Sequence, residues 1–298
     1  METWVLLSVG AAFFQTLRFV LQKQLAAVTL STGGATFARF FYSVPLILAL
    51  LAGYLAVNRL QLPEMNATFW GFALIGGLGQ VLATLCVVAL FKLRNFAVGI
   101  TFKNTEVMQT AVVGLVVLNE GVSWAVLGAI FIGLIGVLVL SDTPERTGDW
   151  RKRIFNRAAG LGLLSGFLFG ISGVCYRGAS LEIASDDAAL RAIVTLAAVS
   201  TAQLIGMGIW LSLRQPGQIA KVIAARRTAG LIGITSMAGS LCWFTAFTLQ
   251  NAAIVKAVGQ VELIFSLLAS LILFNERLHK QEVLGIALIA LSVLALIL

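Results

Sequence analysis

Histidine is almost missing from this chain, whose single copy is His279. That absence excludes an HExxH site, a Ser-His-Asp triad and any multi-histidine metal centre, and with them most hydrolytic chemistry. No G-x-x-x-x-G-K-[ST] loop occurs either, so a P-loop cannot supply energy from ATP. Cysteine is sparse: Cys86, Cys175 and Cys242 each sit inside an apolar run and read as packing residues, with no disulfide framework. Charge is the most telling shortage. Only 11% of the 298 residues are charged, against about 25% in a soluble domain. A water-soluble exterior cannot be made from so little.

What fills the chain instead is apolar: 59% of residues, with a mean hydropathy of +0.96. Lipid must therefore solvate most of the exterior, and lipid admits only helices or closed barrels. The apolar runs extend for twenty or more residues without period-2 alternation, so they are helices. Ten spans are predicted, near 3–27, 34–57, 67–91, 96–118, 124–141, 158–180, 187–213, 228–250, 252–274 and 281–298. Between them only 142–157 and 214–227 are long, polar and basic, and both read as cytoplasmic linkers instead of folded domains. Residues 1–9 lack a basic segment and the following run contains Arg18, so the first span reads as retained. The net charge of +8 lies in the connections flanking the spans, where positive-inside bias accounts for it and nucleic acid is not needed.

Two halves echo each other. Asn119-Glu120 and Asn275-Glu276 close the fourth and ninth spans 156 positions apart, and Glu106 and Glu262 keep the same separation. Each Asn-Glu pair precedes a short turn and then Val-Leu-Gly, at 126–128 and 283–285. Ala35-Thr36-Phe37-Ala38-Arg39 is echoed by Ala188-Ala189-Leu190-Arg191. The expected organisation is a five-helix repeat over 1–141, a basic linker over 142–157 and a second five-helix repeat over 158–298. Because five is odd, the second repeat is inverted in the bilayer. The expected fold is thus all-α integral membrane, ten transmembrane helices in two inverted repeats, an architecture that places a substrate site near the midplane.

The run Leu118-Asn119-Glu120, Leu127-Gly128 and Gly133-Leu134-Ile135-Gly136-Val137-Leu138, with its second copy Leu273-Phe274-Asn275-Glu276-Arg277-Leu278 and Leu284-Gly285-Ile286, resembles the EamA domain of the drug/metabolite transporter superfamily. The resemblance covers both halves and implies a transporter, not an enzyme, with both termini inside. One departure stands out: many such proteins carry a proline midway along the fourth and ninth spans, where this chain has Thr105-Glu106 and Val261-Glu262.

A charge at the centre of a span costs about 2.5–3.5 kcal/mol on insertion scales, so intramembrane charge marks a pathway or a partner. Lys23, Arg177 and Arg191 lie near span ends, within reach of headgroups. Arg18, Arg39, Lys103 and Lys256 do not. Gln15, Arg18 and Gln22 share one face of the first span, and Lys103, Glu106 and Thr110 share one face of the fourth. Glu262 is turned about 120° from Lys256 on a regular helix, so it is expected to meet another span, with Arg18 as a candidate partner. Glu120 and Glu276 read as structural residues satisfying backbone donors at the interface. Gly162, Gly166 and Gly170 form a packing ridge, while Gly76, Gly77 and Gly79 are expected to loosen the third span.

The candidate substrate-binding residues are Arg18, Arg39, Lys103, Lys256, Gln15, Gln22, Gln80, Gln109, Gln260 and Trp243, with Glu106 and Glu262 as proton-coupling carboxylates. Arg39 and Lys103 are expected near one membrane face, and Arg191 and Lys256 near the other. The expected activity is secondary transport of a small anionic or zwitterionic metabolite, without a cofactor. Alternatives are an exporter of neutral or cationic drug-like compounds, or a channel, which counterflow separates from a transporter. The partners are substrate and lipid, in a monomer or homodimer, and the expected location is a bacterial inner membrane. Apart from Arg59, every lysine and arginine outside the spans lies on odd-numbered connections. Positive-inside bias then puts those connections in the cytoplasm and both termini outside, against the family expectation.

Overall fold

In the computed structural model of the protein the described residues are 2–91, 103, 106–141, 157–274 and, near the end, 284, 285, 287, 288, 291, 292 and 295. The start of the fourth predicted span except Lys103, the basic segment 142–156, the second Asn-Glu pair and most of the tenth span lie outside them.

All secondary structure among the described residues is helical: α1 (Thr3–Val28), α2 (Thr32–Asn58), α3 (Ala67–Leu90), α4 (Glu106–Leu118), α5 (Trp124–Ser141), α6 (Arg157–Leu181), α7 (Ala188–Arg214), α8 (Gln218–Ala224), α9 (Arg226–Leu249), α10 (Ala252–Val258) and α11 (Glu262–Phe274). Among the described residues seven helical stretches, counting Ala252–Leu273 as one, are long and apolar enough to cross a membrane, and Glu106–Leu118 and Trp124–Gly136 are shorter apolar ones. Large apolar side chains such as Ile75, Leu78 and Val116 point outward at 59%, 61% and 78% exposure. Such a surface is stable only against hydrocarbon.

Helix starts are set by short polar side chains that satisfy otherwise unpaired backbone N–H groups. Ser31 caps α2, Asn66 caps α3, Asp187 caps α7 and Asn251 caps α10. Asp187 also accepts a 2.6 Å hydrogen bond from Tyr54 Oη, which with two backbone N–H groups holds its carboxyl below the ordinary range. That contribution is present at neutral pH and is lost as pH falls through the lowered value.

Within the 214–227 linker lies α8, whose Val222 is fully buried beside Tyr42 and Ala229. One expectation is corrected: the ninth span is not one continuous α-helix. A 3-10 turn at Gly259–Val261 separates α10 from α11, and no proline in the sequence signals it.

Packing runs between the halves, in reciprocal pairs. The third helix of the first half, α3, lies along the first of the second half, α6, and α1 lies along α9 in the mirrored pairing. Likewise α4 meets α6 while α1 meets α11, α2 meets α7, and α4 meets α10. Ser292, in the tenth predicted span, donates to Ala129 O of α5 at 2.6 Å. Glycines make these approaches possible. A Cβ on Gly170 would come 3.1 Å from Thr110 Oγ1 and 3.2 Å from its backbone N, which agrees with the packing role read for the ridge. Gly76 and Gly79 do not loosen α3, which is continuous. They press it onto α6, with Cβ positions 2.8 Å from Cys175 Cβ and 3.1 Å from Leu168 O.

The tightest of these approaches is Gly233 on α9, where a Cβ would fall onto Tyr42 Cβ and lie 2.8 Å from that residue's carbonyl carbon. Gly230, one turn away, has open space around it. We expect Gly233→Ala to separate α2 from α9 at a cost of about 1–3 kcal/mol, read as a lowered melting temperature in detergent. Gly230→Ala should leave that temperature unchanged, and equal melting of the two variants would refute the packing account.

Candidate substrate cavity

The polar stripe of α1 faces inward, and Gln15, Arg18 and Gln22 are all buried. Gln15 is satisfied at both ends of its amide: Oε1 accepts from Trp243 Nε1 at 3.1 Å, and Nε2 donates to Glu262 Oε2 at 2.9 Å. The same Glu262 oxygen accepts from Lys103 Nζ at 2.6 Å. Lys103 Nζ is 3.3 Å from Glu106 Oε1, which also accepts from Lys256 Nζ at 3.3 Å. Lys256 Nζ in turn sits 4.4 Å from the centre of the Trp243 ring. The contacts close into a ring of six residues, Trp243, Gln15, Glu262, Lys103, Glu106 and Lys256, three from each half of the chain.

Two lysines and two carboxylates balance within this ring. Such geometry lets buried ions survive, because the desolvation cost of each is offset by a short-range partner of opposite sign. One oxygen of each carboxylate, Glu106 Oε2 and Glu262 Oε1, has no hydrogen-bond partner among the described residues.

Beside the ring lies a cavity of about 10 Å³, lined by Gln15, Gln80, Phe169, Ser172, Gly173, Tyr176, Ser240, Trp243, Phe244, Phe247 and Lys256. That is room for about one water molecule. The protein is closed around this point. Aromatic pairs form the walls: Tyr176 stacks on Phe244 at 4.3 Å, and Trp243 stacks on Phe247 at 5.5 Å between ring centres. Gln80 Oε1 accepts from Tyr176 Oη and from Gln203 Nε2, each at 3.0 Å. Arg39 stands one hydrogen bond behind the wall, its Nη2 donating to Ser240 Oγ at 3.0 Å. Arg18 Nη1 donates to Gln22 Oε1 at 3.1 Å, and Gln22 Nε2 is held by Ala35 O at 3.0 Å.

Of the residues singled out in the sequence, Gln15, Gln80, Trp243 and Lys256 line the cavity, Lys103, Glu106 and Glu262 complete the ring, and Arg18, Gln22 and Arg39 flank it. Gln109 and Gln260 are not brought to the wall. Gln260 is buried at the 3-10 turn against Gly133.

Three expectations change. Glu262 meets other spans, as expected, but it accepts its hydrogen bonds from Lys103 and Gln15 and not from Arg18. Lys103 and Lys256 do not sit at opposite entrances, since both reach one oxygen of Glu106. Arg177 is pinned, not free to reach headgroups: its Nε binds Glu120 at 2.8 Å, and its Nη1 donates to the carbonyls of Phe247 and Gln250 at 2.7 and 2.9 Å. Glu120 therefore joins the halves through Arg177 and Asn251, a side-chain partnership instead of backbone capping.

Sequence reasoning missed Ser240, Tyr176 and Gln203. Gln203 carried a usable signal, as an amide alone in the apolar stretch 188–211. Ser240 and Tyr176 carried none, since neither forms part of a polar stripe or a spaced motif in its span.

Comparison with known proteins agrees with this architecture. Residues 156–298 match the family described as EamA-like transporter family, which belongs to the drug/metabolite transporter superfamily. No curated protein matches the chain. A solved structure described only as "Crystal structure of protein" aligns with 99% of this chain and 95% of its own, at a TM-score of 0.68 and 13% identity, a likeness of fold alone.

The ring makes a thermodynamic demand. Glu262→Gln removes the 2.6 Å partner of Lys103, and breaking one side of a buried ion pair costs about 3–5 kcal/mol. Lys103→Met should cost similarly, and the double variant should cost less than the two single losses added. Strict additivity in detergent unfolding would show that the two residues do not interact.

Proposed function

We propose, for a chain whose residues 156–298 belong to the EamA-like transporter family, that the protein is a secondary transporter of a small anionic or zwitterionic organic molecule. The observation that carries this reading is the excess of buried positive charge at the cavity. Lys103 and Lys256 are matched by Glu106 and Glu262, while Arg18 and Arg39 bond only to the neutral Gln22 and Ser240 among the described residues. An anion entering the cavity meets Lys256 directly and Arg39 through Ser240. A hydrophobic cation would add charge to a site already positive.

The reciprocal packing of α3 on α6 and α1 on α9 supports two inverted five-helix repeats over 1–141 and 158–298 that rock about the ring. In that motion the cavity is reached from one side and then the other. Contacts that join the halves stand at both ends of the bundle. Arg177 with Glu120 closes one end, and Ser31 with Gln215 and Gln218 closes the other. Glu106 and Glu262, each with one unpartnered oxygen, are the candidate proton carriers.

In proteoliposomes we expect saturable uptake and counterflow of an organic anion, weakened by Lys256→Gln. A lipophilic cation as the best substrate, or flux without counterflow, would sink this reading. Glu106→Gln or Glu262→Gln should abolish acceleration by a pH gradient while sparing exchange; if both variants keep that acceleration, the carboxylates are structural.

The basic odd-numbered connections support an orientation with the end of this chain, after the tenth predicted span, outside the cytoplasm. A reporter fused there that fluoresces only in the cytoplasm is expected to stay dark, and bright cells would reverse the orientation.

A further inference from the structure

A buried lysine can shed its proton and become neutral, but a guanidinium stays charged throughout the physiological range. Arg18 and Arg39 are 3% and 4% exposed. Arg39 Nη1 has no acceptor among the described residues. Each guanidinium lies over the ring next to it in sequence, 4.2 Å from the centre of Phe19 and 5.2 Å from that of Phe40. Arg18 is tied through Gln22 to Ala35 O, one turn before Arg39 on α2, and the carboxylate of Glu262 is already bonded to Lys103 and Gln15. The ion pairs of the described residues use Lys103, Arg177 and Lys256 only. Among the described residues two positive charges are thus left over beside the small cavity, and deprotonation cannot remove them. Buried charge without a counter-ion is costly.

We infer that Arg18 and Arg39 form a subsite for a doubly charged phosphoryl group on the transported molecule, reached from the cavity past Gln15 and Ser240. This rests on the anion-transporter reading and narrows it. A monocarboxylate would leave one of the two charges uncompensated, and a zwitterion would leave both. A phosphate monoester cancels them. Its oxygens are grouped on one phosphorus, which suits two planar donor forks, one from α1 and one from α2. A dicarboxylate carries the same charge spread over two separated groups. Arg39 Nη1 is the open donor. Gln22 and Ser240 hold the other donors in place through neutral bonds that the phosphoryl oxygens exchange for charge-assisted ones.

Calorimetry on the purified protein tests the subsite without transport, using glycerol 3-phosphate, glycerate and malate, with inorganic phosphate as competitor. Glycerol 3-phosphate should bind at least tenfold more tightly than glycerate or malate, and phosphate should displace it. Arg18→Gln and Arg39→Gln should each weaken it at least tenfold. Arg18→Lys and Arg39→Lys, which keep the charge and lose the fork, should weaken it several-fold and give the answer if the glutamine variants do not fold. Equal binding of the three anions, no binding of either phosphate compound, or full retention by the Arg39 variants would overturn the inference. The broader reading fails separately: counterflow of organic anions without preference for phosphate sinks only the subsite, whereas phosphate binding without counterflow of any anion sinks the transporter.

Discussion

The interaction on which the rest depends is the closed ring of Trp243, Gln15, Glu262, Lys103, Glu106 and Lys256. Ions in a low-dielectric interior persist only with partners at bonding distance, and here each lysine has a carboxylate partner from another helix. Lys103 is bonded to Glu262 across 159 positions, and Lys256 to Glu106 across 150. The ring therefore fixes how α1, α4, α10 and α11 stand relative to one another. Gln15 is its neutral joint, passing from an indole N–H on one side to a carboxylate on the other.

Close approach of backbones is the complementary constraint. Lipid gives helices no hydrophobic reason to associate, so contact area has to come from fit. Gly76, Gly79, Gly170 and Gly233 supply that fit by letting helices of opposite halves touch almost backbone to backbone. Neither half buries its inward face alone. A displacement of one half against the other has to break both the glycine contacts and the polar ties at the two ends of the bundle.

Much of this was legible in the chain itself. The positions of the apolar helices follow from run length, because the bilayer sets a minimum span and breaks between runs are polar. The inward face of α1 follows from the spacing of Gln15, Arg18 and Gln22, and the 156-residue echo pointed to Glu106 and Glu262 as a related pair. The partners of the charges were not legible. A helical wheel turns Glu262 away from Lys256 and toward other helices, as found, but it does not say which residue of those helices arrives, so Arg18 was the candidate where Gln15 and Lys103 are the partners. Arg177 was misjudged because nearness to a span end says nothing about a carboxylate such as Glu120 arriving from another helix. Ser240 and Tyr176 matter through the neighbours that folding gives them, and no local pattern encodes that.

The 3-10 turn has a mechanical corollary. Three residues wound at about 120° each differ from three wound at about 100° each by about 60° of rotation, and the tighter winding is longer by about 1.5 Å. If Gly259–Val261 relaxed into the regular winding of its neighbours, α11 would turn like a screw by a sixth of a revolution and draw toward α10. Glu262 would swing away from Lys103 and Gln15 together, while Lys256, on the other side of the turn, stayed beneath Trp243. Rewinding this segment would therefore part the ring.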